Sequence, residues 1–139
     1  MTIIFDAGAL IAAERNDSRL ATLIHAAFKT RTPILIPTVV IAETWRGSKK
    51  HPRIASVLKA ATAEPELSST LAREVGALIA AAGCVGIVEA TVTALAAAHL
   101  PATVVTSDPN DIQQFASATG RTCLLEDRGR TTEITIFPV

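Results

Sequence analysis

Short apolar, β-branched runs alternate along this chain with longer segments of helical periodicity, and no other feature restricts the fold as much. Buried strands are predicted at residues 2–5, 34–36 and 103–106, a weak edge strand at 63–67, and possible final strands at 122–125 and 133–137. Because helical segments separate most of these strands, the chain favours a mainly parallel sheet with helices on both faces. The fold class is therefore α/β, with three layers.

Seven helical segments are predicted between and after these strands. Apolar residues recur at helical spacing in each segment, and capping residues, prolines and glycines mark their ends. Asp17 or Ser18 can cap the second segment, Pro52 starts the fourth, and Gly83 stops the fifth. The segments cover approximately residues 9–15, 18–28, 38–46, 52–62, 69–82, 87–99 and 109–119.

Length and hydropathy favour one soluble domain spanning residues 1–139. A domain of 139 residues can bury roughly two-thirds of the surface that its unfolded chain exposes. Hydrophobic residues make up 49% of the chain, yet no charge-free apolar run reaches the roughly 18 residues that a membrane span needs. The N-terminus lacks a basic region, and Asp6 would interrupt an apolar signal segment, so we expect a cytoplasmic protein.

The cysteines, histidines and net charge exclude several classes of function. Cys84 and Cys123 are far apart, and His25, His51 and His99 are isolated, so neither a zinc site nor a Cys/His nucleophile is indicated. The 13 basic and 13 acidic residues cancel, which leaves no global basic field for nucleic acid. A polyanion would have to be bound by local basic residues.

Two acids follow predicted strands directly, Asp6 in IIFDAG and Asp108 in TVVTSDPND. In parallel α/β sheets ligands bind outside the carboxyl ends of the strands. If the two strands are neighbours, the carboxylates converge there, and their repulsion calls for a cation or a proton. Each acid is equally well explained as a helix N-cap, a favoured position for aspartate between a strand and a helix.

Two further acids, Glu43 and Glu89, stand in apolar helical segments. Burying either of them unpaired would cost several kcal/mol, and a divalent metal bound by carboxylates would compensate this cost. Metal ions of this kind can activate water for phosphodiester cleavage. As alternatives, Glu43 can form a surface ion pair with Arg46 three residues later, and Glu89 can lie on a solvated helix edge.

In their order and spacing, four segments resemble the PIN-domain family, and more narrowly the VapC-type toxin ribonucleases of type II toxin–antitoxin systems. These segments are FDAGALIAAERND, VVIAETWRG, GIVEATVTALA and VVTSDPNDI, and the resemblance spans essentially the whole chain. It implies a Rossmann-like PIN fold with an acidic pocket that binds Mg²⁺ or Mn²⁺ and hydrolyses RNA phosphodiester bonds. No nucleophilic side chain is then required.

Carried over position by position, the resemblance makes Asp6, Glu43, Glu89 and Asp108 the catalytic and metal-binding residues. Glu89 stands where the family usually has Asp, and Gly86 stands where many relatives have another Asp. Glutamate keeps the charge but adds a methylene, and near-octahedral Mg²⁺ tolerates little displacement of its ligands. The site is therefore expected to be weakened or retuned.

Three polar residues beside Asp108 have two interpretations each. Asp111 can be an outer carboxylate of the metal site, or a first-turn acid that interacts favourably with the helix dipole. Thr106 and Ser107 can hold a metal-bound water or simply cap the following helix.

Placement of RNA would depend on local basic residues, densest in the segment WRGSKKHPR. This segment is equally well explained as a solvated loop and helix start. Trp45 could stack on a base, but its apolar helical surroundings favour a packing role. The basic candidates are Arg15, Arg46, Lys49, Lys50 and Arg53.

The resemblance also implies two protein partners. A cognate antitoxin of the VapB type would cover the acidic crevice, and a second copy of the chain would form a homodimer. The Ala- and Val-rich helices offer apolar surface for such contacts.

A ribonuclease has two alternatives: a binding module, and another enzyme that uses a strand-end acid. A catalytically weakened PIN-fold module would bind antitoxin or RNA without cleaving, and Gly86 and Glu89 would then mark lost catalysis. A phosphatase or phosphoacceptor receiver would also use a strand-end acid. The sequence speaks against both of the latter, because FDAGA lacks the second Asp of a D-x-D pair and no Lys follows a late strand.

Overall fold

The structure, a computed structural model, describes residues 1–120, the backbone of 123–125, and residues 133–139. Within these ranges the strands are β1 Thr2–Phe5, β2 Ile34–Leu35, β3 Ala102–Thr106, β4 Cys123–Leu125 and β5 Ile134–Pro138. The helices are α1 Ala7–Glu14, α2 Ser18–Thr30, α3 Thr38–Thr44, α4 Pro52–Ala60, α5 Ser69–Ala82, α6 Ile87–Ala98 and α7 Pro109–Ala118. Thr122, where a strand was predicted to begin, lies outside the described residues.

The described strands form one parallel sheet in the order β2-β1-β3-β5-β4. Helices lie between β1 and β2, between β2 and β3, and between β3 and β4 in the chain. They cover both faces of the sheet, which is why β1 and β3 are buried almost throughout. The predicted α/β class, with a mainly parallel sheet flanked by helices, is confirmed.

The pairing of β1 with β3 positions the two strand-end acids. Phe5 is opposite Val105 in the register, and the backbone N–H of Asp6 donates to the Val105 carbonyl at 2.9 Å. Both strands run in the same direction, so the loops that follow them leave the sheet at the same edge. Asp6 and Asp108 begin α1 and α7 as their N-caps at this edge.

The core lies on both sides of the sheet. Ile4, Phe5 and Val104 from the strands are fully buried, as are Leu10 of α1 and Val92 of α6. Buried apolar area of this kind supplies most of the free energy that holds the helices to the sheet. The carboxyl edge, where the polar loops lie, therefore rests on a rigid layer.

The predicted edge strand at 63–67 is wrong. Ala63 forms a single parallel bridge with Leu35, and no strand follows it. Pro65 has no N–H to donate to a ladder, so pairing stops there. The segment is instead held by its carbonyls, which accept the N–H of Ile36 at Ala63 and the N–H of Thr38 at Pro65, both at 3.0 Å.

The length and apolar composition of α5 and α6 can be compared with what a membrane-spanning helix requires. Among the described residues, no single helix is long and apolar enough to cross a membrane. Taken together, α5 and α6 pass that test by length and composition, but the chain bends by 106° at the break between them.

Candidate functional site: an acidic pocket at the carboxyl edge of the sheet

A pocket of ≈ 390 Å³ lies at the carboxyl edge of β1 and β3. Its walls come from the two loops that follow these strands and from α1, α3 and α6. All four of the acids singled out in the sequence line it. The lining residues are Asp6, Ala7, Gly8, Ile11, Glu43, Thr44, Arg46, Glu89, Ser107 and Asp108.

Asp6 is the most deeply placed of these acids, with 4% of its surface exposed. Its Oδ1 accepts the N–H of Ala7 at 2.7 Å, and its Oδ2 accepts the hydroxyl of Thr106 at 2.7 Å. Burial raises the pKa of the Asp6 carboxyl; these two hydrogen bonds oppose the rise, and the charges of Asp108 and Asp111 add to it. Asp6 is thus a fixed carboxylate in a region of excess negative charge.

The loop after β3 is fastened to Asp6 and to the start of α1. The Thr106 hydroxyl, which donates to Asp6, also accepts the N–H of Asp108 at 3.0 Å. Gly8 lies against the same loop: a Cβ added to it would come within 2.6 Å of the Ser107 backbone nitrogen. Only glycine permits this approach of backbone to backbone. The two acid-bearing loops are therefore in direct contact.

Glu43 and Arg46 form the wall contributed by the end of α3. The side chain of Glu43 is exposed, and the ion pair with Arg46, the alternative considered for Glu43, does not form. The guanidinium instead donates to the carbonyls of Ala42, Glu43 and Trp45. A cation at a helix C-terminus is favoured by its unpaired carbonyls. Arg46 is thereby held at the rim of the acidic pocket.

Glu89 reaches the pocket from the first turn of α6 and is half-buried. Burial raises the pKa of the Glu89 carboxyl, its own backbone N–H opposes the rise, and the charges of Asp6, Glu43 and Asp111 add to it. These charges place Asp6, Glu43 and Glu89 in one electrostatic field. Asp111, in the first turn of α7, contributes to that field without lining the pocket.

The donor set suits a divalent metal in its chemistry. Carboxylate oxygens are preferred by Mg²⁺ and Mn²⁺. Burial raises the pKa of Asp6 and of Glu89, repulsion by neighbouring acids adds to the rise, and a cation would relieve that repulsion. In the part of the chain that the structure describes, however, no three Asp, Glu, His or Cys side chains converge on a point that could hold an ion. The acids share a pocket, and their role as ligands stays a prediction.

The strand-end acids Asp6 and Asp108 also have the alternative role considered for them, that of helix N-caps. Asp6 and Asp108 do act as N-caps, Asp108 through an Oδ1 that lies 3.4 Å from the Asp111 nitrogen. Capping uses one oxygen of each carboxylate and leaves both side chains at the pocket. A helix cap and a pocket acid are therefore not exclusive interpretations here.

Sequence reasoning did not single out several residues of the site. Gly8 and Ile11 belong to FDAGALIAA, and Thr44 follows Glu43, but none of these three carries a polar or charged pattern. Gly8 could have been noticed, because a glycine in the first turn of a helix often marks a close backbone approach. Thr106 donates to Asp6 and accepts the N–H of Asp108, and its role toward a metal-bound water stays a prediction.

The basic residues lie in three different settings. Lys49 and Lys50 are exposed in the loop after α3, while Arg15 lines a separate cleft with Gly8 and Ser107. Arg53 is engaged elsewhere, since its Nη1 donates to the Glu14 carbonyl at 3.1 Å.

Trp45, also considered as an RNA contact, packs half-buried against the main core. The packing role that the sequence favoured is thereby confirmed.

Comparison with known proteins supports the fold. No family model matches the sequence, and the curated proteins contain no match. Among solved structures, the chain is similar to one in the crystal structure of VapBC2 from Rickettsia felis bound to a DNA fragment from their promoter. The TM-score is 0.65 at 16% identity, over 82% of this chain and 92% of that one. This likeness confirms the predicted PIN-like fold and, at this identity, establishes the fold alone.

Proposed function

We propose that this chain is a metal-dependent endoribonuclease, the toxin of a toxin–antitoxin pair. The observation that carries the proposal is the acidic pocket, in which Asp6, Glu43, Glu89 and Asp108 arrive from four separate segments of the chain. The fold shared with a VapBC2 chain supports it. A pocket that concentrates uncompensated carboxylates is costly for folding, and function is the ordinary reason for such a cost.

The acidic side chains of the pocket differ in how firmly the surrounding structure holds them. Asp6 is held by two hydrogen bonds, whereas Glu43 is exposed and Glu89 only half-buried. We propose that the longer side chains of Glu43 and Glu89 adjust around Asp6 and Asp108 when the site is loaded. A Mg²⁺ or Mn²⁺ ion held there would supply an activated water and would offset charge at the RNA phosphorus.

Arg46 and the lysines beside it are proposed to orient the RNA. With no net charge on the chain, phosphate binding depends on cations near the pocket. Arg46 lines the pocket and is held by three carbonyls, so its remaining N–H groups face a phosphate with little loss of side-chain freedom. Lys49 and Lys50 extend the basic surface along the same loop.

Cleavage of a structured RNA by the purified chain tests the proposal. We expect cleavage with Mg²⁺ or Mn²⁺, none with chelator, and a loss of at least about 100-fold in Asp6→Asn. Glu74→Gln serves as the matched control, because Glu74 is an exposed acid of α5 outside the pocket. RNA ends sequenced after brief induction in cells would identify the substrate.

A weakened module that binds without cleaving is the second candidate. It is favoured by the lack of three converging acids among the described residues and by Gly86 and Glu89, which depart from the family pattern. The same experiment separates the two functions. RNA binding without cleavage, in either metal and with antitoxin absent, would establish the module and overturn the enzyme.

The proposed function includes an antitoxin, a homodimer and a cytoplasmic location. A groove of ≈ 390 Å³ between α2 and α4 exposes apolar surface, including Phe28 at 52%. We propose that a VapB-type antitoxin covers the acidic crevice and also contacts this apolar groove. Phe28→Glu should then weaken the ability of the antitoxin to neutralise the toxin when the two are co-expressed. RNA cleavage by the purified chain should stay unchanged.

The proposed homodimer has a separate test. Light scattering of the purified chain would measure its oligomeric state.

A further inference from the structure

Gly86 and Glu89 share one small volume at the start of α6. Gly86 is the N-cap of this helix, and Glu89 is its third residue. A Cβ added to Gly86 would lie 2.6 Å from Oε2 of Glu89 and 3.4 Å from its carboxyl carbon. The carboxylate of Glu89 therefore occupies the space that any side chain at position 86 would need.

The backbone of Gly86 gives no reason for a glycine at this position. Its φ of 175° is extended and open to every residue type. The third neighbour of the added Cβ is the ring of Phe115 at 3.6 Å, an ordinary contact. What a side chain at position 86 would displace is thus the end of one flexible side chain, the carboxylate of Glu89.

We propose that Gly86 is a positioning residue for Glu89: it leaves open the space from which the Glu89 carboxylate reaches the acidic pocket. The inference rests on the proposed metal-dependent function. It also explains why a longer acid at position 89 accompanies the smallest residue at position 86. Glutamate folds back over the helix start into this space, whereas aspartate, one methylene shorter, would stay nearer its own backbone.

A side chain at position 86 should change the pocket only around Glu89. In Gly86→Ala the Glu89 carboxylate has to rotate away, while Asp6, Glu43 and Asp108 should keep their surroundings, because the three atoms nearest the added Cβ belong to Glu89 and Phe115. The defect should therefore be one of ligand placement, with the fold retained. Shortening the acid should relieve the collision, so that Glu89→Asp compensates for Gly86→Ala.

Titration calorimetry of the metal-free full chain with Mn²⁺ tests this coupling. We expect G86A to weaken Mn²⁺ binding about tenfold, as loss of a supporting neighbour commonly does. G86A/E89D should bind more tightly than G86A, and G86A should have no effect in an E89Q background. Gly76→Ala in α5 is the control, since an added Cβ there meets nothing within 4 Å. Equal Mn²⁺ affinity in G86A and wild type, or the same loss in the E89Q background, would overturn the proposal.

Crystal structures of wild type and G86A separate this inference from the proposed function. If the wild type binds no Mn²⁺, the proposed function fails, but the positioning role can still be judged. We expect the Glu89 carboxylate of G86A to have left the space beside residue 86, with the backbone of α6 unmoved. A displaced start of α6 with the carboxylate in its original place would refute the positioning role.

Discussion

The hydroxyl of Thr106 donates a 2.7 Å hydrogen bond to Oδ2 of Asp6 and so joins the ends of β3 and β1. The same oxygen accepts the N–H of Asp108 at 3.0 Å. Thr106 is fully buried, so water cannot replace either bond. One hydroxyl group thus links the two acid-bearing loops, in addition to the pairing of β1 with β3 and the contact of Gly8 with Ser107.

Replacing Thr106 by valine should destabilise the protein by about 2 kcal/mol, because it leaves the buried Oδ2 of Asp6 and the N–H of Asp108 each without this partner. Thr106→Ser keeps the hydroxyl and loses only a methyl group, so we expect about 1 kcal/mol. Urea unfolding of the metal-free chain measures both. A valine variant as stable as wild type would show that the hydroxyl and its two hydrogen bonds contribute nothing to stability.

Asp6→Asn should stabilise the metal-free protein while it abolishes cleavage. The amide oxygen can still accept the N–H of Ala7, but the amide nitrogen cannot accept the Thr106 hydroxyl. We expect this loss to be outweighed by removal of the buried charge and of its repulsion by Asp108 and Asp111. The free energy of unfolding should rise by about 1 kcal/mol at neutral pH. Thermal and urea unfolding with chelator present would measure the gain. A variant less stable than wild type would mean that the carboxylate is primarily a helix cap.

The raised pKa values of Asp6 and Glu89 determine whether the stability of the protein rises or falls with pH. Both carboxyls bind a proton more tightly in the folded protein than in the unfolded chain, where their values are 3.8 and 4.5. Their contribution to stability is complete below those values and is lost as pH rises through the folded pKa. Without metal, the stability of wild type relative to the double variant D6N/E89Q should therefore fall as pH rises above the unfolded values of 3.8 and 4.5. A rise over this range would contradict the shifts.

The sheet and the position of two acids could be predicted because their signals are local. Residues 2–5 and 103–106 are short apolar runs, and Asp6 and Asp108 follow them at once. Parallel pairing then places the ends of both strands at one edge, whatever the order of the remaining strands. The structure makes these two strands direct neighbours.

Glu43 and Glu89 lie close to these two acids because of the way α3 and α6 pack against the sheet. No local sequence pattern predicts that packing. Only the resemblance to a known family brought them to the same site. The contact of Gly8 with Ser107 and the volume shared by Gly86 and Glu89 were not predicted either. Such contacts join segments that are brought together only by the tertiary fold. The sequence alone therefore does not predict which residues contact each other.

Gly8→Ala should destabilise the protein by about 1–3 kcal/mol, since the added Cβ would meet the backbone nitrogen and Cβ of Ser107 at 2.6 and 2.7 Å. Backbone cannot rotate aside, so α1 or the loop after β3 must shift. We also expect reduced cleavage, because both segments carry pocket acids. Gly76→Ala is the matched variant: it should stabilise α5 by about 0.5–1 kcal/mol. Two variants of similar stability would refute the close contact.

Glu14 should contribute about 1 kcal/mol to stability as a cap supplied to α4 by a different helix. Its Oε2 accepts the N–H groups of Arg53 and Ile54 at 3.1 and 3.0 Å, two of the donors that the first turn of α4 leaves unpaired. Glu14→Gln keeps an acceptor oxygen and should lose less than Glu14→Ala, which keeps none.

Urea unfolding of the two Glu14 variants measures these differences, with Glu64→Gln, an exposed acid outside the helices, as the control for loss of charge. If the stabilisation comes from the hydrogen bonds, Glu14→Gln will lie between wild type and Glu14→Ala at every salt concentration. If it comes from charge at the helix N-terminus, the two variants will be equally unstable, and their difference from wild type will shrink as salt is added.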